Sequence, residues 1–222
     1  MRINLYNPVL FNDHYRIHVQ AYFFQEFKDY QTPENHAHNR IEIMYVVKGG
    51  GVVRVKDREI KLKSGDFILI DSDVPHRLKV TAEKPCRMLN IEFELIPCED
   101  AFYSIKSLVK NVPHLKEFFE SKESFLVLKD PNESLSELIK GLIRQLNMQE
   151  PSNLFMQQLM LSQILITISK LQYDSTLHMI EDTNKYVADA IDYMLSHYDY
   201  DLKVGNKHIG GYNDLVSWLE NK

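Results

Sequence analysis

His36-Ala37-His38-Asn39-Arg40-Ile41-Glu42-Ile43-Met44-Tyr45-Val46-Val47-Lys48-Gly49-Gly50-Gly51 is the stretch that decides the fold. β-Branched and aromatic residues dominate 41–47, and a short apolar run closed by glycines reads as a strand. Gly49-Gly50-Gly51 permits positive φ, so a tight reversal is expected there, with a new strand at 52–55. Similar runs lie at 17–27, 60–62, 67–70, 78–80 and 88–95. Lys56-Asp57-Arg58 and Ser64-Gly65-Asp66 supply turns between them. Many short antiparallel strands in succession imply a sandwich or a jelly-roll barrel.

Past residue 100 the pattern becomes helical. The segment 104–119 spaces Ile105, Leu108, Val112, Leu115, Phe118 and Phe119 three and four apart. The segment 132–147 offers Asn132 or Ser134 as its cap and one stripe from Leu135 to Leu146. A third helix, 153–171, follows Pro151-Ser152 and is apolar around much of its circumference. Within it Leu154, Leu161 and Ile168 recur at seven residues, with Leu165 between them. That spacing suits a dimer-forming face, and it equally suits a helix packed onto its own barrel. A fourth amphipathic helix is expected at 183–198. The fold class is therefore mixed, β then α.

The 222 residues carry 26 Lys and Arg against 31 Asp and Glu, a net charge of −5. A stand-alone nucleic-acid binder needs a concentrated cationic face, so that class is disfavoured. Two cysteines, Cys86 and Cys98, exclude a disulfide-dense scaffold and fit reduced thiols. The longest apolar stretch, 159–168, is interrupted by Ser162, Gln163 and Thr167 and is too short to span a membrane. A cytoplasmic protein without a membrane partner is expected.

His36 and His38 stand two residues apart, which in an extended chain turns both rings to one face, and Glu42 shares that parity. Three imidazoles, with His76 from Asp73-Val74-Pro75-His76, and one carboxylate make a divalent-metal site possible. Zinc, iron, manganese, nickel and cobalt all suit such donors. Met44 and Val46 share the parity of Glu42 and are candidates for an apolar pocket floor, while Arg40 stands beside the cluster within reach of an anionic effector. A metal-free reading keeps the same residues as hydrogen-bonding pocket walls.

The spacing of His36, His38, Glu42 and Gly49 resembles the first cupin signature block. Gly65 and His76 occupy the matching places of the second, where Asp71, Asp73 and Val80 depart from it. By that resemblance His36, His38, Glu42 and His76 are the metal ligands. The blocks "HxHxxxEIMYVVKGGG" and "KLKSGDFILIDSDVPH" also resemble the amino-terminal sensor domain of AraC-type transcriptional regulators. That resemblance implies a cupin barrel binding a small-molecule effector over residues 1–100, with an arm before His14. It further implies a helical dimerisation segment over 101–180, with Leu154, Leu161, Leu165 and Ile168 at the homodimer contact. Residues 181–222 would be a linker and a remnant of a helix-turn-helix domain. Asn184 to Met194 resembles the first helix of the family's DNA-binding domain, and His208 to Val216 one helix-turn-helix segment. From residue 184 onward four lysines face six acids, the wrong sign for phosphate contacts. DNA is thus a partner only where a complete reader domain is present. The expectation is a non-enzymatic sensor; the alternative is a metal-dependent cupin enzyme, a dioxygenase or isomerase.

Overall fold

The computed structural model describes residues 3–32, 35–99, 102, 104–148, 153–196, 202–204 and 207–209. They fall into two units, Met1–Tyr173 and Asp174–Lys222. The first opens with a helical turn, α1 (Val9–Asn12). Seven strands follow: β1 (Tyr15–Phe27), β2 (Tyr30–Gln31), β3 (Ile41–Val55), β4 (Arg58–Lys63), β5 (Asp66–Ile70), β6 (His76–Val80) and β7 (Cys86–Pro97). Next come α2 (Ile105–Asn111), α3 (Pro113–Glu120), β8 (Phe125–Lys129), α4 (Ser134–Asn147) and α5 (Asn153–Ser196). The second unit holds the rest of α5 and a small hairpin, β9 (Leu202–Val204) with β10 (Lys207–Ile209).

The first unit is a cupin-like jelly roll followed by helices. One sheet runs β1-β7-β3-β5-β8; the other joins β2 to β6 and β6 and β4 to β3, all antiparallel. The long strand β3 belongs to both. Its first half, to Gly49, pairs with β7 and β5, and its second half, from Gly50, pairs with β4 and β6. The triple glycine is therefore not a chain reversal but the corner at which one strand changes sheets. Gly49 has φ +80°, beside a register shift against β7 between Val46 and Lys48. A Cβ there would lie 1.7 Å from the Pro85 carbonyl oxygen. The glycine lets two backbones meet.

In the first sheet the opening of β3 and most of β5 are buried on both faces, which is why Ile41 and 43–46 read as an apolar run with Glu42 as its one polar member. Ile43, Tyr45, Phe67, Leu69, Leu89, Ile91 and Phe93 pack against the helices and the amino-terminal Leu5 and Leu10. Met44, Val46, Ile68, Ile70 and Met88 turn the other way and meet Val53, Val55, Leu62 and Leu78 inside the barrel. Cys86 sits fully buried in that interior, and burial pushes its thiol up to about 11, so it stays protonated.

The helices differ from the sequence expectations in instructive ways. The segment 104–119 is not one helix: Pro113 holds Val112 extended (φ −129°, ψ 96°) and starts α3 anew. Neither Asn132 nor Ser134 caps α4. Buried Asp130 does so, its Oδ2 accepting from the amides of Leu135 (2.9 Å) and Ser136 (3.1 Å) and its Oδ1 from the Ser134 hydroxyl (3.1 Å). Asp130→Ala is expected to cost about 2 kcal/mol, the upper end for losing a cap. A thermal melt should show a fall of about 4–8 °C, with Asp130→Asn intermediate.

No glycine or proline interrupts 172–182, so the expected third and fourth helices form one element, α5. Leu161, Ile164, Leu165 and Ile168 are buried in this chain's own core, which corrects the dimer face expected at Leu161, Leu165 and Ile168. A side chain closed inside its own protomer has no surface to offer a second copy. Leu154 is half exposed, as are Phe155 and Met156. The polar residues on the covered side are satisfied locally: the Gln158 amide donates to the Ile17 carbonyl (2.9 Å) and the Ser162 hydroxyl to the Gln158 carbonyl (2.8 Å). Within Leu154–Tyr193 one 18-residue window reaches mean hydropathy 1.2, long and apolar enough to cross a membrane, yet the first half of the helix packs on the barrel. Asn184 to Met194 forms part of α5, and His208 and Ile209 lie in β10; the rest of the helix-turn-helix resemblance falls outside the described residues.

Candidate functional site

His36 lies outside the long strands but bridges to His76 at the start of β6, each amide donating to the other's carbonyl at 3.0 and 2.9 Å. His38 follows, and Glu42 is the second residue of β3 on the inward parity. Folding thus brings together the four residues that the motif spacing singled out. Ring centroids are 4.4 Å apart for His36 and His76, 5.1 Å for His38 and His76, and 5.7 Å for His36 and His38. One nitrogen from each ring lies within 4.8 Å of the others, close enough to hold a single metal ion.

The ring orientations decide what sits there. Nδ1 of His38 is 3.0 Å from the Arg40 carbonyl, and Nδ1 of His76 is 2.9 Å from the Val74 carbonyl. A carbonyl only accepts, so each Nδ1 carries the hydrogen and each Nε2 presents a lone pair when the ring is neutral. Those Nε2 atoms lie 3.3 Å (His38) and 2.9 Å (His76) from Glu42 Oε2. Neither His76 Nε2 nor Glu42 Oε2 has an aligned hydrogen-bond partner, although both are buried. Lone pairs converging on a carboxylate oxygen call for a cation between them, a proton or a metal. The donor set therefore fits a divalent ion, with backbone carbonyls fixing the two ring orientations.

Glu42 is buried, which by itself raises its pKa. The contacts from His38 and His76, the charge of His76 and the Asn90 amide outweigh that and hold it at about 2. Burial lowers the pKa of His76, and Glu42 reverses the sign so that the net shift is upward. The signs fix a window for the metal-free protein. A carboxylate held low contributes stability above its ordinary 4.5 and loses it as pH falls towards about 2. A histidine held high contributes fully below its ordinary 6.5 and loses that as pH rises through its folded value. The difference in melting temperature between the chelated parent and Glu42→Gln should peak between pH 4.5 and 6.5. A flat difference would contradict this electrostatic picture.

Beside the cluster lies a cavity of about 270 Å³. His36, Glu42 and Met44 line it, together with Asn90, Glu92, Met88, Leu78 and an aromatic group of Phe23, Phe27 and Tyr30. The other expected pocket residues stand elsewhere. His38 and His76 do not line the cavity and meet it only through Glu42, which both contact; Val46 is fully buried in the barrel core, and Arg40 is bound to Glu92 and does not line the cavity.

Asn90 and Glu92 were missed. They alternate with Met88 on β7, opposite Met44 and Glu42 in the register, so parity was the available signal once the pairing was known. The Asn90 amide donates to Glu42 Oε1, while its own Oδ1 is buried without a partner. Asp71, at a place where the chain departs from the cupin pattern, accepts from the Leu5 amide at 2.8 Å and ties down the segment before His14.

A family model described as AraC-like ligand binding domain matches residues 18–164. A search of curated proteins gives no match. Solved structures similar to the chain include the plu4264 protein of Photorhabdus luminescens, with 24% identity over 28% of this chain and 52% of that one at TM-score 0.26. The EutQ protein of Clostridium difficile has 20% identity over 36% and 57%, at TM-score 0.30. A cupin protein from Bacteroides fragilis has 19% identity over 47% and 85%, at TM-score 0.30. The chain thus spans little more than half of the first two.

Proposed function

The chain belongs to the AraC-like ligand-binding family, and from that premise we propose that it is the small-molecule-sensing part of an AraC-type transcriptional regulator. The observation that carries the reading is the cavity inside the barrel, apolar over most of its wall and polar at one corner. An effector there meets His36, Glu42, Asn90 and Glu92 on one side and Met44, Met88 and aromatic rings on the other. Signalling requires only that it bind one arrangement of the protein better than another. The segment held by Asp71 and the helices packed on the sheet are the elements available to respond. Homodimerisation belongs to this proposal, with Leu154 and the neighbouring exposed Phe155 and Met156 as contacts. DNA is left to a complete reader domain.

His36, His38, Glu42 and His76 would hold a divalent ion, which when bound supplies a Lewis acid at the cavity wall. That donor set favours the second reading, a metal-dependent dioxygenase or isomerase. Around it the chain's own residues do binding work: Asn90 orients Glu42, and Arg40 holds Glu92. We favour the sensor.

The test is a thermal-shift screen of metabolites on the parent, His36→Ala and His76→Ala. A stabilising compound is expected to bind each variant at least tenfold more weakly, with the dimer retained in sedimentation and the compound recovered unchanged. Equal binding to both variants would refute the pocket assignment; conversion of the compound would favour the enzyme.

A further inference from the structure

The charged residues lining the cavity are Glu42 and Glu92, and among the described residues no Lys or Arg lines it. Arg40, which does not line the cavity, is engaged with Glu92, and Arg77 with the Thr32 carbonyl. The Asn90 side chain is 2% exposed, gives its amide to Glu42, and keeps a buried Oδ1 that accepts nothing. A buried acceptor without a donor is costly, so a ligand that brings an N–H is favoured there. Across the cavity, Phe27 stands 4.6 Å from Tyr30 and 5.8 Å from Phe23 between ring centroids, at inclined angles. Inclined aromatic faces beside carboxylates attract a cation, and they also cover an apolar stem. A carboxylate or phosphate ligand would face two like charges instead.

Resting on the assignment of this cavity as the effector site, we infer that it takes a small organic cation, a protonated primary amine on a short apolar stem. Its N–H groups meet Asn90 Oδ1 and the Glu92 carboxylate, and its stem lies against Phe23, Phe27 and Tyr30. A quaternary ammonium offers no donor to Asn90 and fits less well. The cavity stands at the small end of ligand pockets, which suits a molecule of about ten non-hydrogen atoms.

The test uses three probes of one shape, benzylamine, benzyl alcohol and benzoate, at pH 7 with chelator and again with zinc. Methyl resonances of Met44 and Met88, both on the cavity wall, report occupancy. Benzylamine is expected to bind chelated protein at least tenfold more tightly than either of the others. Glu92→Gln, which keeps an acceptor for Arg40, should reduce the amine-to-alcohol affinity ratio at least tenfold. Benzoate binding as well as the amine in chelated protein, or an unchanged ratio in Glu92→Gln, would overturn the inference and leave the cavity as the effector site. Silence of both methyls to all three probes would overturn the inference and the site assignment together. Benzoate binding that appears only with zinc would leave the inference standing for the metal-free protein.

Discussion

Gly49→Ala is expected to remove at least about 4 kcal/mol of stability, among the largest effects of a single methyl group. Two costs combine. An alanine at φ +80° occupies a region that L residues enter at about 1–2 kcal/mol. The added Cβ also falls 1.7 Å from the Pro85 oxygen and 2.9 Å from its carbonyl carbon. Both are backbone atoms next to Cys86, the residue that pairs with Gly49, so relief means parting β3 from β7 where β3 changes sheets. Gly65→Ala separates the two terms. Gly65 has φ +85°, and its nearest neighbour to an added Cβ is 3.8 Å away, so it carries the conformational cost alone. A melt should show Gly65→Ala a few degrees below the parent and Gly49→Ala more than about 8 °C below, or insoluble. Equal losses would mean that the close approach at the sheet corner is not what demands glycine.

Zinc added to chelated parent protein is expected to bind at about one ion per chain, and His36→Ala/His38→Ala to weaken it about 100-fold or more. Removing two imidazoles leaves His76 and Glu42, too few donors to displace water from the ion. Isothermal titration with elemental analysis checks both numbers. Asn90→Leu tests the support around the site: it removes the amide that orients Glu42 and should cost about 10-fold in affinity. Zinc binding retained in the double variant would mean that the histidines are pocket walls and that the ion sits elsewhere.

The strand at 41–47 was legible because a strand buried on both faces leaves an apolar run without regular polar alternation, here Ile41 and 43–47 with Glu42 as the one polar residue. The inward set of Glu42 and Met44 followed from parity alone. Its partners on β7 did not: Asn90 and Glu92 could face either way until the register set Asn90 against Met44 and Glu92 against Glu42. The glycines were readable as permissive but not as a corner, because a reversal and a change of sheet ask the same of φ. The break at Val112-Pro113 was readable in local terms, since proline biases the preceding residue away from the helix. The face of α5 was not. A helix apolar on all sides carries no mark of which side meets its own barrel, and the seven-residue spacing of Leu154, Leu161 and Ile168 mixed an exposed position with two covered ones. β8, only Phe125–Lys129 among helices, gained strand character from pairing with β5.

The most direct measurement is a crystal of the protein soaked with a mixture of small amines, alcohols and acids. The account predicts density inside the barrel, between the His36, Glu42 and Asn90 corner and the rings of Phe27 and Tyr30. Ligand bound only elsewhere, such as the groove of Phe11, Val109 and Lys110, with the barrel cavity empty, would contradict it.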